Sequence, residues 1–350
     1  MKKSTLLFTS TLPSLSELGE ELLLIHDEIL PRKSTAFKKW SQKFPLKYAV
    51  KAGESLKSVD HFPQHIRKIV QLCENASSRR LTIVVVGGGS VGDFGGFVAS
   101  ILKRGVKLVH IPSTWLSAID SAHGGKTALN VGSAKNQIGT FYPANKIVLC
   151  RDLLFSQPEA RAFEGFGELL KISLLQGGAL WQELSREFEI TSAVLWKYLA
   201  RAIDAKNKVV AKDPEEVTGH RHILNLGHTV GHVLESYYQL PHGISINYGL
   251  DFALRYSVQL KIMSAVEHQK ISHAAVAGYM LSPLRDDLFQ TKASVLNDFR
   301  KLLLSDKKKT KSQTLRFVFL KKPGQCVVRE VTVDDVLVEI CRQKEEELNG

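Results

Sequence analysis

Short apolar runs alternate with helix-spaced stretches through the first half of the chain. "ELLLIH" (21–26), "KYAV" (47–50), "LTIVVVG" (81–87), "VKLVHIP" (106–112) and "NKIVLC" (145–150) are nearly continuous in Val, Ile and Leu. Strands of that texture, separated by helical patterns, indicate a parallel sheet covered by helices. The opening "MKKSTLLFTSTLPSLS" adds a first strand. Two lysines precede its apolar patch, but Ser and Thr interrupt it well before a signal-peptide core length. From about Pro158 the texture changes. Stretches 159–175, 192–212 and 223–239 carry apolar residues at helical spacing with few β-branched runs, so the second half is expected to be mainly α. Near the end, "LRFVFL" and "QCVVREV" flank "KKPGQ", a strand pair about a Pro-Gly turn. The expectation is an α/β domain over residues 1–158 and a mainly α-helical domain over 159–350. With no low-complexity linker, the halves should pack directly, with a cleft between them.

Composition narrows the function classes. The 350 residues are 44% hydrophobic, enough for a large core and two domains. Four scattered cysteines with no C-x-x-C pair argue against a disulfide framework or a thiolate zinc site, and fit a reducing cytoplasm. No run reaches the roughly 18 apolar residues of a membrane span, so a soluble protein without a membrane partner is expected. The formal charge is +12, yet the only dense basic run, "DKKKTK" (Asp306–Lys311), lacks the aromatic residues that stack bases. A small anionic substrate, or plain surface solvation, explains that charge better than nucleic acid does.

Three stretches carry candidate chemistry. "VVVGGGSVGDFGG" runs from a strand into a helix, and Gly87, Gly88 and Gly89 would let backbone N–H groups approach a phosphate at the helix start. Steric need alone also makes such turns glycine-rich, and the spacing is not the G-x-G-x-x-G of an ordinary dinucleotide fold. Asp93 suits a polar hydroxyl better than a phosphate. "IPSTWLSAIDSAHGGKTALNVGSAKNQIG" (111–139) gathers Asp120, Lys126, Lys135 and Asn136 among Gly and Ser and reads as a functional loop. "NLGHTVGH" sets His228 and His232 four residues apart, which on a helix puts both imidazoles on one face. Spacing leaves open whether both, one or neither binds a metal.

Taken together, "GGGSVGD", "IPSTWLSAIDSAHGGKTALN", "AKNQIGTFYP", "GFGELLK", "NLGHTVGHVLE" and "PHG" resemble, in order and approximate spacing, the 3-dehydroquinate synthase family of sugar phosphate cyclases. The resemblance spans about residues 22 to 320. It implies an N-terminal α/β NAD-binding domain, a mainly helical C-terminal metal-binding domain, and a cytoplasmic homodimer of the shikimate pathway. The reaction it implies turns 3-deoxy-D-arabino-heptulosonate 7-phosphate into 3-dehydroquinate and phosphate, with NAD regenerated in each turnover. Its NAD contacts carry over to Asp27, Glu54, Lys57, Gly89, Ser90, Val91, Gly92, Asp93, Ser113, Thr114, Asp120, Lys126, Lys135, Leu153, Leu154 and Ser156. Its metal ligands, for Zn2+ or Co2+, carry over to Glu168, His228 and His242, leaving His232 as an outer partner or a substrate contact. Its substrate positions carry over to Asp93, Arg104, Lys126, Lys135, Asn136, Lys171, Lys206, Arg221, Asn225 and the Lys307/Lys308 pair. Lys171, three residues after Glu168, should sit beside the metal.

The chain departs from the family pattern in places. Ile244 stands where an acidic residue usually follows "HG", so an outer contact to His242 is expected to be missing. His123 occupies a position expected to be small or apolar. The intervals from Lys206 to Arg221 and from Lys308 to Arg316 are each one residue longer than the pattern. Other readings are a different sugar phosphate cyclase, a metal-dependent polyol dehydrogenase that would release NADH, and a catalytically silent NAD-binding paralogue.

Overall fold

The computed structural model describes residues 4–132, 134–281, 291–305 and 313–349. The chain forms two compact units, Met1–Ala162 and Phe163–Gly350.

In the first unit, strands β1 (Thr5–Thr9), β2 (Glu21–Asp27), β3 (Leu46–Val50), β4 (Leu81–Gly87), β5 (Lys107–Pro112) and β8 (Lys146–Cys150) make one parallel sheet in the order β1-β8-β5-β4-β2-β3. Every apolar run read as a strand is one. The central strand β4 is buried along its whole length, which is why its sequence does not alternate. Leu22, Leu24, Val84, Val86, Val109, Ile111, Val148 and Cys150 point to one face and pack with Leu30 of helix α1 (Leu30–Lys33), Phe37 and Trp40 of α2 (Thr35–Ser41) and Phe44 of the turn beyond. Three further helices, α3 (Phe62–Leu72), α4 (Gly89–Ile101) and α5 (Arg151–Phe155), complete the unit. Helix α4 lies very close to β4: a Cβ on Gly95 would sit 2.4 Å from Val85, so only glycine fits there.

The sheet register decides where a ligand can go. Chain order runs outward from β2 to β3 and, on the other side, from β4 to β5, so the direction reverses between the neighbours β2 and β4. A crevice opens at the carboxyl ends of such a strand pair. Register places Asp27, Gly87 and Pro112 together at that edge.

The segment 111–139 is not a long loop. After a helical turn at Ser117–Ser121 it forms an antiparallel hairpin, β6 (Lys126–Val131) with β7 (Ala134–Phe141). β7 is exposed along its whole length in a polar sequence, so its apolar signal is too weak to read as a strand.

The second unit is mainly helical: α6 (Ala160–Gln176), α7 (Gly178–Leu184), α8 (Ser192–Lys212), α9 (His228–Tyr238), α10 (His242–Gln259), α11 (Ala265–Ser272), α12 (Ala275–Met280), α13 (Ala293–Ser305) and α14 (Val333–Asn349). β9 (Thr314–Lys322) and β10 (Gln325–Thr332) form the expected hairpin about Pro323-Gly324. The stretch 223–239 is not one helix. A 3-10 turn, His220–Asn225, comes first, and Gly227 at φ +78° reverses the backbone so that α9 begins at His228. No helix among the described residues is long and apolar enough to cross a membrane.

Candidate active site

Glu168, His228 and His242 come from three helices of the second unit, and each has a glycine as chain neighbour. Those glycines, together with Gly249, let the helices touch backbone to backbone. A Cβ on Gly243 would fall 2.4 Å from the Glu164 backbone, fixing α10 against α6. One on Gly249 would fall 1.9 Å from the Gly227 carbonyl, fixing α10 against α9. Three side chains on adjacent turns are thereby brought to one point.

At that point the Glu168 side chain is fully buried, and neither carboxylate oxygen accepts a well-formed hydrogen bond. Its Oε2 lies 2.5 Å from the Lys171 ammonium, itself buried. Its Oε1 faces Nε2 of His228 at 3.4 Å and Nε2 of His242 at 3.5 Å. These separations are long for hydrogen bonds. They match a shared ion: bonds of about 2.1 Å in a tetrahedral site set the ligand atoms roughly 3.4 Å apart. Both imidazoles are held by the other nitrogen. His228 Nδ1 lies 3.2 Å from the Leu226 carbonyl, and His242 Nδ1 lies 2.8 Å from the Glu235 carboxylate. Held there, each ring directs its Nε2 toward Glu168, and that nitrogen can bind an ion when it carries no proton.

The charges agree with that reading. Burial pushes His228 down to about 4, with Lys171 adding to the effect, so it is a neutral imidazole at pH 7. For Glu168, burial opposes ionisation, but Lys171 and the two imidazoles override it and hold the carboxyl well below the usual carboxylate range. Burial likewise pulls His242 down, yet Glu168 and Glu235 raise it to about 10. The corner therefore attracts positive charge, and an ion bound there would displace a proton. One carboxylate and two imidazoles suit Zn2+ or Co2+. His232 stands on α9 with its ring 5.1 Å from that of His228 and 5.9 Å from that of His242, beside the three donors.

In the first unit the candidate NAD residues gather at the crevice edge. Asp27 ends β2, and its Oδ1 accepts from the Ile29 N–H at 3.1 Å. Gly89, Ser90, Val91 and Gly92 form the first turn of α4, which has no side-chain cap and no acidic residue, leaving its N–H groups available to an anion. Ser113 and Thr114 follow β5, the Ser113 N–H bonding the Gly87 carbonyl at 2.9 Å. A partly buried polar network ties the remaining pieces together. Lys57 Nζ donates to Asp93 Oδ2 at 2.7 Å and to Asn136 Oδ1 at 2.6 Å. Asn130 donates to Glu54 at 2.7 Å and accepts from the Asn136 N–H at 2.8 Å. Burial raises the Asp93 carboxyl, and Lys57 opposes the rise. Asp93 is thus committed first to Lys57.

Domain profiles agree with both halves of this picture. The 3-dehydroquinate synthase N-terminal domain matches residues 47–164, and the 3-dehydroquinate synthase C-terminal domain matches residues 165–309. The chain belongs to the 3-dehydroquinate synthase family. The 3-dehydroquinate synthase of Leptospira interrogans serogroup Icterohaemorrhagiae serovar copenhageni is 35% identical over 303 residues, which cover 84% of this chain and 80% of that one. Two solved structures share the fold. The 2-epi-5-epi-valiolone synthase of Streptomyces hygroscopicus subsp. jinggangensis, with NAD+ and Zn2+ bound, superposes with a TM-score of 0.82 at 17% identity, covering 99% of this chain and 98% of that one. A 2-deoxy-scyllo-inosose synthase, complexed with carbaglucose-6-phosphate, NAD+ and Co2+, gives 0.79 at 22% identity, covering 97% and 96%. Members of the 3-dehydroquinate synthase family are NAD- and metal-dependent cyclases that eliminate phosphate, a lyase reaction of the shikimate pathway.

The remaining family positions are distributed unevenly. Lys206 is buried on α8, against which the 3-10 turn carrying Arg221 and Asn225 packs. Arg221 is buried, with its Nη1 on the Pro214 carbonyl at 3.1 Å. Asp120 lies in the Ser117–Ser121 turn, and Lys126 and Lys135 are exposed on the hairpin. Leu153 and Leu154 are core residues, so only their backbone could meet a cofactor, and the Ser156 hydroxyl donates to the Leu153 carbonyl at 2.7 Å. Arg104 ends the 3-10 turn Leu102–Arg104 that follows α4, the helix that carries Asp93. Lys307 and Lys308 lie outside the described residues. His123, the unexpected residue, is buried with Nε2 2.8 Å from the Ala118 carbonyl and closes the turn before the hairpin.

The motifs did not single out Asn130, Asp213 or Glu235. Asp213 accepts the N–H groups of Val217 at 2.8 Å, Thr218 at 3.0 Å and Arg221 at 3.1 Å, shaping the loop that presents Arg221. Glu235 had a legible signal, since it stands two helical turns after His228 on the same face. Nothing in the sequence connects Asn130 to Glu54 without knowledge of the hairpin.

Proposed function

We propose that this chain converts 3-deoxy-D-arabino-heptulosonate 7-phosphate to 3-dehydroquinate and phosphate, using NAD in the first unit and Zn2+ or Co2+ in the second. The observation that carries the reading is the convergence of His228 Nε2 and His242 Nε2 on a buried Glu168 oxygen, with Lys171 beside it. Family membership supplies the substrate class.

A divalent ion at Glu168, His228 and His242 would supply Lewis acidity to a substrate hydroxyl. NAD along Asp27, Glu54, Lys57, Gly89–Asp93, Ser113, Thr114 and the backbone at Leu153–Ser156 would take up hydride and return it within one turnover. The other side chains bind and orient. The uncapped start of α4 receives the pyrophosphate. Arg221, with its planar fork, suits bidentate contact with phosphate or carboxylate, and Lys206 acts as a point charge nearby in the fold. Lys171 is tethered to Glu168, so its charge is fixed where negative charge develops on the substrate. Asn225 and His232 offer polar contacts at either end of the segment leading through His228. Asp93 and Asn136, linked through Lys57, position substrate hydroxyls and ribose. The working form is a cytoplasmic homodimer, as in the family.

The test is phosphate release from the heptulosonate phosphate by purified protein with NAD and Zn2+ or Co2+, with and without a chelator. Release that stops with chelator, without net NADH accumulation, is the expected result. His228→Ala should abolish it, because two remaining ligands hold the ion poorly. Net NADH from a simple polyol, or no phosphate release under any metal, would overturn the reading.

A further inference from the structure

A second carboxylate stands behind the metal corner. Glu235 projects from α9, and its Oε2 lies 2.8 Å from His242 Nδ1, the nitrogen that faces away from Glu168. His232, Glu235 and His242 could themselves form a three-donor group. Distance separates the two roles. The 2.8 Å contact is that of a charge-assisted hydrogen bond, whereas ligands of one ion stand roughly 3.4 Å apart. Glu168 has the arrangement of a ligand: Oε2 is ion-paired with Lys171, while the buried Oε1 faces the two Nε2 atoms at 3.4 and 3.5 Å.

We propose that Glu235 is a positioning residue: by accepting the His242 Nδ1–H it fixes the ring's tautomer and direction, so that Nε2 presents its lone pair toward Glu168. Free rotation of the His242 ring would be costly to metal affinity, since that side chain is 28% exposed and sits at the first position of α10, where packing restrains it least. His228 needs no such aid, because the Leu226 carbonyl takes its Nδ1. The arrangement also answers the departure at Ile244: an outer carboxylate reaches His242 from α9 rather than from the residue after "HG".

This inference rests on the metal reading above, and the experiment separates the two. The affinities of metal-free wild type, Glu235→Gln and Glu235→Ala for Zn2+ and Co2+ are measured by competition with a chromophoric chelator. The Co2+ absorption spectrum and thermal unfolding of each metal-free protein are recorded beside them. Carboxylate partners of metal-bound histidines typically contribute 10–100-fold in affinity. Glu235→Ala should therefore lose about that much, while Glu235→Gln, whose amide oxygen still accepts the Nδ1–H, keeps most of it. The Co2+ bands should keep their shape in both variants, because no ligand is lost. Glu235→Ala binding within twofold of wild type would overturn the proposal, as would Co2+ bands that report a changed ligand set. An unfolding loss in the metal-free Ala variant that Gln does not rescue would also overturn it. If wild type binds neither ion, the metal reading falls as well.

Discussion

The metal corner of the second unit and the cofactor edge of the first solve the same problem by different physics. At the metal corner, backbone meets backbone at Gly243 and Gly249, and the three donors ride on helices that cannot shift without breaking that contact. At the cofactor edge, Glu54, Lys57, Asp93, Asn130 and Asn136 come from a turn, a helix and a hairpin, and hydrogen bonds of their side chains link them, beside a backbone bond from the Val59 N–H to the Asn130 carbonyl at 2.9 Å. A small, fixed ligand needs donors placed to within fractions of an ångström, which helix packing provides. An extended dinucleotide needs many contacts that yield slightly, and a polar network can exchange partners as it binds. The difference teaches that rigidity here follows the size of the ligand each region is built to hold.

Perturbing each region in its own terms should separate the two. The largest effect is expected for Gly243→Ala. Its new Cβ meets the Glu164 backbone, which cannot rotate away, so overpacking should cost about 3 kcal/mol in unfolding free energy and weaken Zn2+ binding together with it. Denaturant titration with and without metal measures both. Intact metal affinity would mean that helix contact is not what places the donors. An intermediate effect is expected for Lys57→Met. Losing the ammonium that links Asp93 to Asn136 should raise the NAD dissociation constant roughly tenfold, about 1.4 kcal/mol, by fluorescence titration, while metal affinity in the other unit stays unchanged. Metal affinity falling in step would break the comparison.

The smallest effect concerns pH. Burial alone would raise the Asp213 carboxyl, but the N–H groups of Thr218, Arg221 and Val217 hold it at about 2. Since the folded value lies below the unfolded one, near 4, this group's stabilisation is present above pH 4 and is lost as pH falls from 4 toward 2. Asp213→Asn should flatten that part of the stability curve, measured by denaturant unfolding at pH 4 and pH 2.5. An unchanged slope would separate the loop from acid sensitivity.

The sheet was legible because β2, β4, β5 and β8 are buried and leave long apolar runs in the sequence. The hairpin at 126–141 was not, because an exposed strand such as β7 carries no hydrophobic alternation to read. Of the site, the metal donors could be named because each sits beside a glycine in a recognisable motif. The lost part is relational. That Asn130 reaches Glu54, or that Glu235 backs His242, depends on which segments meet, and side-chain identity alone does not encode a meeting. The start of α9 was misplaced for a similar reason: the apolar spacing of 223–227 is helical, and the left-handed backbone at Gly227 overrides it.

The long stretch of chain between Glu168 and His242 gives the three-helix corner one more consequence. Any ion seated there would act as a removable clasp, tying the middle of α6 to the start of α10 and closing a loop that the unfolded chain would otherwise leave open. Metal supply would then set how long the helical unit survives protease attack.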